Sequence, residues 1–216
     1  MRKVPLFSGE GPTQLLCIGA HSDDIEIGCG GTIIRILEEY KELRVVWVVL
    51  SANEERRAEA EVSAGRFLQR AKETRILVAG FRDGYFPYIG AEIKAYFDWL
   101  KGEVSPDLIF THFRSDLHQD HRIASELTWN SFRDHLIFEY EIPKYDGGLS
   151  SPNVLVELKA EYCREKVRHL LDCFPSQRGK AWFSEETFLA IMRLRGMEAN
   201  ASSNYAEGFY SRKLVV

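Results

Sequence analysis

The chain has 216 residues, of which 45% are hydrophobic and 28% are charged, and its formal net charge at pH 7 is −4. This composition suits one globular domain with a sizeable core, and we expect a single domain over residues 1–216. The acidic balance excludes nucleic-acid binding through bulk positive charge, and no apolar stretch approaches the roughly 20 residues of a membrane span. We therefore expect no nucleic-acid partner and no membrane span.

Strand and helix patterns alternate through the first two thirds of the chain. The predicted strands are residues 14–20, 44–51, 75–79 and 107–112. The predicted helices are residues 30–40, residues 54–72, a segment that ends near residue 102, and a segment from residue 120 to about residue 133. The second strand is nearly continuous in apolar residues around Trp47, which is typical of a strand buried on both faces. This order predicts an α/β fold with a Rossmann-like parallel sheet flanked by helices.

The last third of the chain departs from this alternation. Two strands are predicted around a turn-rich segment, at residues 136–142 and 154–158, and two helices follow at residues 160–173 and 185–195. We interpret this part as a C-terminal elaboration of the single domain that shapes the pocket. Residues 205–209 either return to the site or pack as a terminal segment.

The four cysteines stand at positions 17, 29, 163 and 173. They form neither a CxxC pair nor the dense framework of a disulfide scaffold. We therefore expect reduced thiols in a cytoplasmic protein. The sequence leaves open whether the chain forms a homo-oligomer.

The most informative stretch is AHSDDIEIGCGGT, residues 20–32, directly after the first predicted strand. It places one imidazole, His21, and two adjacent carboxylates, Asp23 and Asp24, where a strand ends. Zinc binds nitrogen and carboxylate oxygen, so His21 with one aspartate forms half of a metal site. We predict that residues 28–31 form a glycine-rich turn that opens a helix and lets it approach a strand closely.

A second cluster, HQDH at residues 118–121, follows the fourth predicted strand. In doubly wound sheets, ligands bind beyond the carboxyl ends of the strands where the strand order reverses, and strands one and four are commonly neighbours there. We therefore expect the two clusters to meet in space. His21, Asp24 and His121 would then supply two nitrogens and one oxygen, which together with water is the pattern of a catalytic zinc.

The other polar residues of the two clusters suit the hydrolysis of an amide. A bound metal lowers the pKa of water towards about 7 and polarises a carbonyl oxygen. Asp23 can take the proton of that water and pass it to a departing amine. His118 can donate a hydrogen bond to an oxyanion, and Asp120 can fix the orientation of an imidazole.

The two motifs resemble the AHPDDxE and HxDH signatures of the PIG-L/LmbE-like zinc-dependent N-deacetylases. The resemblance extends to the Gly-Gly-Thr of the first helix, to Arg56 and Glu59 after the second strand, to Asp83 after the third, and to residues 205–209. It covers most of the chain, and the one departure in the core motif is Ser22, where proline is usual. The resemblance implies an LmbE-like fold and an enzyme that removes N-acyl groups, usually acetyl, from amino sugars or their conjugates.

The resemblance also implies roles for individual residues. These are zinc binding by His21, Asp24 and His121, general-base catalysis by Asp23, and assistance to the oxyanion or leaving group by His118, with support from Asp120. Two further residues, Arg56 and Asp83, follow the carboxyl ends of predicted strands, where substrate hydroxyls would lie, and we predict that they bind substrate. The alternative is an ordinary exposed arginine and an Asp-Gly turn.

Other interpretations of the same residues stay open. The metal site also suits a hydrolase of a larger amide or a carbamoyl group, and Fe²⁺ is an alternative to Zn²⁺ because affinity alone does not set occupancy. The glycines also allow a non-catalytic nucleotide- or sugar-binding module, although they do not match GxGxxG and the adjacent carboxylates would repel a pyrophosphate. We interpret His112 as a hydrogen-bonded structural residue and His169 as a surface residue, and we assign no role to Asp116.

Overall fold

Helices and strands alternate along most of the chain. The computed structural model describes residues 3–7 and 11–214. In chain order the elements are β1 (Gln14–Gly19), α1 (Asp24–Glu39), β2 (Arg44–Val49), α2 (Glu54–Phe67), β3 (Glu73–Val78), α3 (Gly90–Glu103), β4 (Leu108–His112), α4 (Gln119–Ser131), β5 (Leu136–Tyr140), β6 (Val154–Leu158), α5 (Ala160–Cys173), α6 (Glu185–Glu198) and β7 (Tyr205–Tyr210). Short 3₁₀ turns at Phe86–Tyr88 and Pro175–Gln177 precede α3 and α6.

The strands form one sheet in the order β3-β2-β1-β4-β5-β7-β6. Strands β1 to β5 are parallel, whereas β7 is antiparallel to both of its neighbours. Because β1 pairs with β2 on one side and with β4 on the other, the strand order reverses between β1 and β4. The carboxyl ends of these two strands are therefore adjacent, at the position where doubly wound folds bind ligands. The predicted α/β fold with a largely parallel sheet is confirmed.

Two hydrophobic clusters cover the two faces of the sheet. Trp47 of β2 packs into one cluster, whereas its neighbours Val46 and Val48 pack into the other. This alternation follows from the two-residue period of a strand, and all three side chains are buried. The prediction that β2 is buried on both faces is confirmed. The two-sided core holds the carboxyl ends of the central strands in fixed positions.

Helix α1 corrects one prediction, because it begins at Asp24 and not near residue 30. The glycines of residues 28–31 therefore lie inside the helix rather than in a turn. A Cβ atom on Gly28 would lie 2.2 Å from the Tyr140 ring, and one on Gly30 would lie 2.6 Å from the Phe67 ring. Because glycine is a poor helix former, the sequence predicted the start of α1 too far along the chain. Glycine is needed at these positions because any side chain would collide with the two rings. The predicted close approach is confirmed.

Three other expectations differ from the structure. Helix α2 ends at Phe67 rather than near residue 72, and residues 205–210 form the strand β7, inserted between β5 and β6, rather than a terminal packing segment. His169 is buried against Phe67, with 5.3 Å between the ring centroids, and is not a surface residue. The last two differences arise from contacts between segments far apart in sequence. The four cysteines are free and buried.

None of the helices within residues 3–7 and 11–214 is both long enough and apolar enough to cross a membrane.

Candidate metal centre

A cleft of about 790 Å³ opens at the carboxyl ends of the parallel strands. Residues that follow each of the strands β1 to β5 line it. The segment between α5 and α6 adds Gln177, Lys180 and Trp182 to its wall. The expectation that the last third of the chain shapes the pocket is therefore confirmed.

The two predicted clusters meet in this cleft. His21 follows β1, Asp24 is the first residue of α1, and His121 lies in the first turn of α4. The His21 Nδ1 atom is 3.2 Å from His121 Nε2 and 3.3 Å from Asp24 Oδ2, and His121 Nε2 is 3.5 Å from Asp24 Oδ1. Tetrahedral ligands with bonds of about 2.0–2.1 Å lie roughly 3.3 Å from one another. The three residues fit a zinc-like ion in both donor chemistry and spacing.

Carboxylates hold the His21 ring in the orientation that such a site needs. The His21 Nε2 atom is 3.0 Å from Asp83 Oδ1 and 3.4 Å from Asp120 Oδ2. Both carboxylates favour a proton on Nε2, so the Nδ1 lone pair is left facing Asp24 and His121. The backbone N–H of His21 also donates to Asp24 Oδ2 at 2.6 Å, which fixes the carboxylate.

The electrostatics of the three residues favour a bound cation. Burial, together with the charge of His112, lowers the pKa of His121 to about 3. Burial would raise the pKa of Asp24, but the nearby histidines, His121 first, hold it well below its usual range. Burial also opposes protonation of His21, yet the surrounding carboxylates, Asp24 first, raise its pKa well above the ordinary value. A neutral His121 and an ionised Asp24 are the protonation forms in which these side chains bind a metal ion.

Asp23 presents a free carboxylate oxygen beside the three candidate ligands. Its Oδ1 atom accepts a hydrogen bond from Arg56 Nη2 at 2.8 Å, and Glu59 lies 3.4 Å from the Nε atom of the same arginine. The Asp23 Oδ2 atom is buried and has no hydrogen-bond partner among the described residues. Burial raises the pKa of Asp23 despite the opposing charge of Arg56. A desolvated carboxylate with one oxygen free is suited to accept a proton.

His118 caps the N-terminus of α4, with its Nδ1 atom accepting from the Asp120 N–H at 3.2 Å. This contact places the proton of a neutral imidazole on Nε2, where it can be donated into the cleft. The Asp120 carboxylate accepts from the N–H groups of Gly84 and Phe86, at 2.6 and 3.2 Å. The Asp120 carboxylate therefore lies beside His21 and anchors the loop after β3, whereas the backbone N–H of Asp120 contacts the His118 ring.

The predicted substrate residues have contacts within the site itself. Arg56 holds Asp23, and Asp83 faces His21, although the Asp83 side chain is 75% exposed and both residues line the cleft. Their contact with substrate stays a prediction.

Sequence reasoning missed several residues near the centre. His112 is a buried, hydrogen-bonded residue as expected, with its Nε2 atom accepting from the Ala20 N–H at 2.9 Å, but its ring also stacks on His121 with 3.9 Å between centroids. Asp116 and Lys144 meet beside His121. The position of Asp116, a carboxylate close to the second histidine motif, could have predicted its place near the site. No sequence pattern predicts Lys144, because only the folded loop after β5 brings it to the site.

A family model matches the part of the chain that carries this site. The family model PIG-L, described as GlcNAc-PI de-N-acetylase, matches residues 16–132, which is more than half of the chain and includes both histidine motifs.

Solved structures share the fold. The N,N'-diacetylchitobiose deacetylase from Pyrococcus horikoshii superposes with a TM-score of 0.70 at 23% identity, covering 93% of this chain and 84% of that one. GalB, the 4-carboxy-2-hydroxymuconate hydratase from Pseudomonas putida KT2440, gives a TM-score of 0.75 at 17% identity, covering 94% and 98%. The zinc-inhibited form of teicoplanin deacetylase Orf2 gives 0.71 at 13% identity, covering 92% and 97%. At these identities the likeness supports the fold, and the family match supports the conclusion that the chain belongs to the PIG-L family.

Proposed function

We propose that this chain is a zinc-dependent N-deacetylase that removes the acetyl group from an N-acetylated amino sugar or sugar conjugate. The observation that carries the proposal is that one cleft is lined both by Asp23, whose buried Oδ2 atom has no hydrogen-bond partner among the described residues, and by His21, Asp24 and His121, whose candidate ligand atoms lie 3.2–3.5 Å apart. The description of the PIG-L family supports the same reaction class. Two of the structural neighbours described above are named as deacetylases: one as an N,N'-diacetylchitobiose deacetylase and the other as a teicoplanin deacetylase.

The proposed mechanism assigns one task to each side chain. His21, Asp24 and His121 would hold the metal, which when bound polarises the acyl oxygen and lowers the pKa of water. Asp23 takes the proton of the attacking water on Oδ2 and returns it to the departing amine nitrogen. His118 donates its Nε2 proton in a hydrogen bond to the oxyanion that develops from the acyl oxygen. The products are acetate and a free amine.

The cleft supports a substrate larger than an isolated N-acetyl group. Its volume of about 790 Å³ falls within the usual range for small-molecule sites. Trp182 and Tyr145 line the wall together with polar side chains, so a sugar ring can pack its apolar face on an aromatic ring and direct its hydroxyls to polar groups. Arg56 and Asp83 are the residues that we propose for these hydroxyl contacts.

Release of the free amine from compounds with different acyl groups is the direct test. The purified chain, loaded with Zn²⁺ or with Fe²⁺ in separate samples, is offered a panel of glucosamine conjugates that carry acetyl, larger acyl or carbamoyl groups, and the free amine is measured. We expect the acetylated compounds to be cleaved and Zn²⁺ to support turnover. Preferred release of a larger acyl or carbamoyl group would favour the alternative hydrolase, and binding without cleavage of any compound would favour a non-catalytic module. A chain that binds no divalent metal would overturn the proposal.

We also propose a cytoplasmic location and a single domain over residues 1–216. Free buried cysteines are typical of proteins in reducing compartments, and all four cysteines of this chain are of this kind.

A further inference from the structure

We infer that Asp116 is a positioning residue that joins the candidate ligand His121 to one wall of the cleft through Lys144. The inference rests on the proposed metal centre. It concerns the segment between β4 and α4, which carries Asp116, and the cleft-wall loop, defined here as residues 143–150 after β5. Both segments border the cleft, and one carboxylate connects them.

The Asp116 side chain is 3% exposed, and both of its oxygens have partners. The Oδ1 atom accepts from the backbone N–H of His118 at 2.8 Å, which fixes the carboxylate relative to the start of α4. The Oδ2 atom lies 3.1 Å from His121 Nδ1 and also accepts from the ammonium group of Lys144. A single buried group therefore contacts the second histidine motif in two places and the cleft-wall loop in one.

The short contact with His121 favours one of its two ring nitrogens as the atom that faces the candidate metal, although the 3.1 Å approach of Asp116 Oδ2 to Nδ1 is not aligned as a hydrogen bond. A carboxylate at Nδ1 favours a proton on that atom and leaves the Nε2 lone pair towards Asp24 and His21. A metal-ligating histidine usually has such a partner on its other nitrogen, and the loss of that partner typically weakens metal binding 10- to 100-fold. The stacked ring of His112 restrains the plane of His121 but provides no acceptor for Nδ1.

Lys144 connects the other side of Asp116 to the cleft-wall loop. Its ammonium group donates both to Asp116 and to the Ile142 carbonyl, at 2.9 Å for the latter. The next two residues, Tyr145 and Asp146, line the cleft and are exposed, so the half-buried Lys144 is the attachment at this end of the loop. The far end is attached by Arg195, which donates to the Ser150 carbonyl at 2.8 Å. Removal of the lysine contact should free the cleft-lining end alone.

The test uses two readouts that do not depend on turnover: the Kd for Zn²⁺, measured by competition with a chromophoric chelator, and amide hydrogen exchange of residues 143–150. For Asp116→Asn we expect the Zn²⁺ Kd to rise about 10- to 100-fold and exchange in the loop to become faster. For Lys144→Met we expect faster exchange in the loop without weaker Zn²⁺ binding, because the substitution removes a cation from the surroundings of the metal.

Thr111→Val is the matched control. Thr111 lies on β4 beside His112 and is fully buried, and its hydroxyl hydrogen-bonds Thr128 at 3.0 Å, away from the cleft. This variant also loses a buried polar contact, so a general loss of stability would appear in it as well. We expect both readouts to match those of the wild-type chain.

A Zn²⁺ Kd for Asp116→Asn less than fivefold above that of the wild-type chain would overturn the positioning role. Unchanged loop exchange in both Asp116→Asn and Lys144→Met would overturn the connection to the cleft wall. If Asp116→Asn does not fold, Asp116→Glu keeps the charge but displaces the carboxylate by one methylene group, and the same limits apply to it. Failure of the wild-type chain to bind Zn²⁺ would instead overturn the proposed metal centre, so the two failures are distinguishable.

Discussion

Arg56 donates a hydrogen bond to Asp23 Oδ1 at 2.8 Å, and this contact leaves the buried Oδ2 atom of Asp23, a residue that lines the cleft, without a hydrogen-bond partner among the described residues. The arginine comes from the first turn of α2 and the aspartate from the residue before α1, so the pair joins the segments that follow β2 and β1. An arginine that we predicted only to bind substrate therefore also orients the proposed base.

We expect Arg56→Met to lower kcat/KM for acetate release by about 10- to 100-fold, because an unanchored carboxylate loses the geometry needed for proton transfer. The matched control is Arg57→Met. Arg57 is the next residue of the same helix, is 41% exposed, and has Glu61 rather than a cleft residue as its ion-pair partner. Equal losses in the two variants would contradict a specific role for Arg56.

Replacement of Asp23 by asparagine should separate chemistry from metal binding. The substitution keeps the shape of the side chain but removes the proton acceptor, so kcat should fall by roughly 10²- to 10⁴-fold. The Kd for Zn²⁺ should stay close to the wild-type value, because Asp23 is not among the three proposed ligands. Turnover of Asp23→Asn at the wild-type rate would rule out Asp23 as the base.

The two histidines of the second motif should respond differently to substitution. His121→Ala removes a proposed ligand, and we expect the purified variant to retain little Zn²⁺ by elemental analysis. His118→Ala removes only the proposed hydrogen-bond donor, so it should keep its Zn²⁺ while kcat falls by about 10²- to 10³-fold. Metal loss in His118→Ala, with metal retained in His121→Ala, would reverse the assignment.

The packing of α1 leads to a prediction about stability. A Cβ atom on Gly28 would lie 2.2 Å from the Tyr140 ring, so Gly28→Ala should lower the free energy of unfolding by about 1–3 kcal/mol. Gly65 is the control, because it is exposed within α2 and, apart from its two chain neighbours and the backbone of its own helix, nothing lies within 4 Å of a Cβ at that position. Gly65→Ala should raise the free energy of unfolding by about 0.5–1 kcal/mol. Urea unfolding of both variants measures the difference, and a shift of the same sign in both would contradict the packing argument.

Much of the fold was predictable because its signals are local. The apolar strands and the alternation of strand with helix are visible in short windows, and alternation itself predicts a parallel sheet. The meeting of His21 with His121 followed from that topology, because adjacent parallel strands bring their carboxyl ends together. The strand β7 escaped prediction, since its pairing with β5 and β6 depends on segments far away in the chain.

The sequence by itself determined which residue types follow β1 and β4, and therefore the candidate ligands, the candidate base and the family. Only the tertiary structure decided how these groups are held. It brought Arg56 into contact with Asp23, and the carboxylates of Asp83 and Asp120 into contact with His21. It also placed Asp116 between His121 and Lys144. The physical reason is that the residues of one motif lie close together in a single segment, so the sequence alone reveals them. The residues that contact and orient them come from other loops, whose positions depend on the packing of the whole sheet.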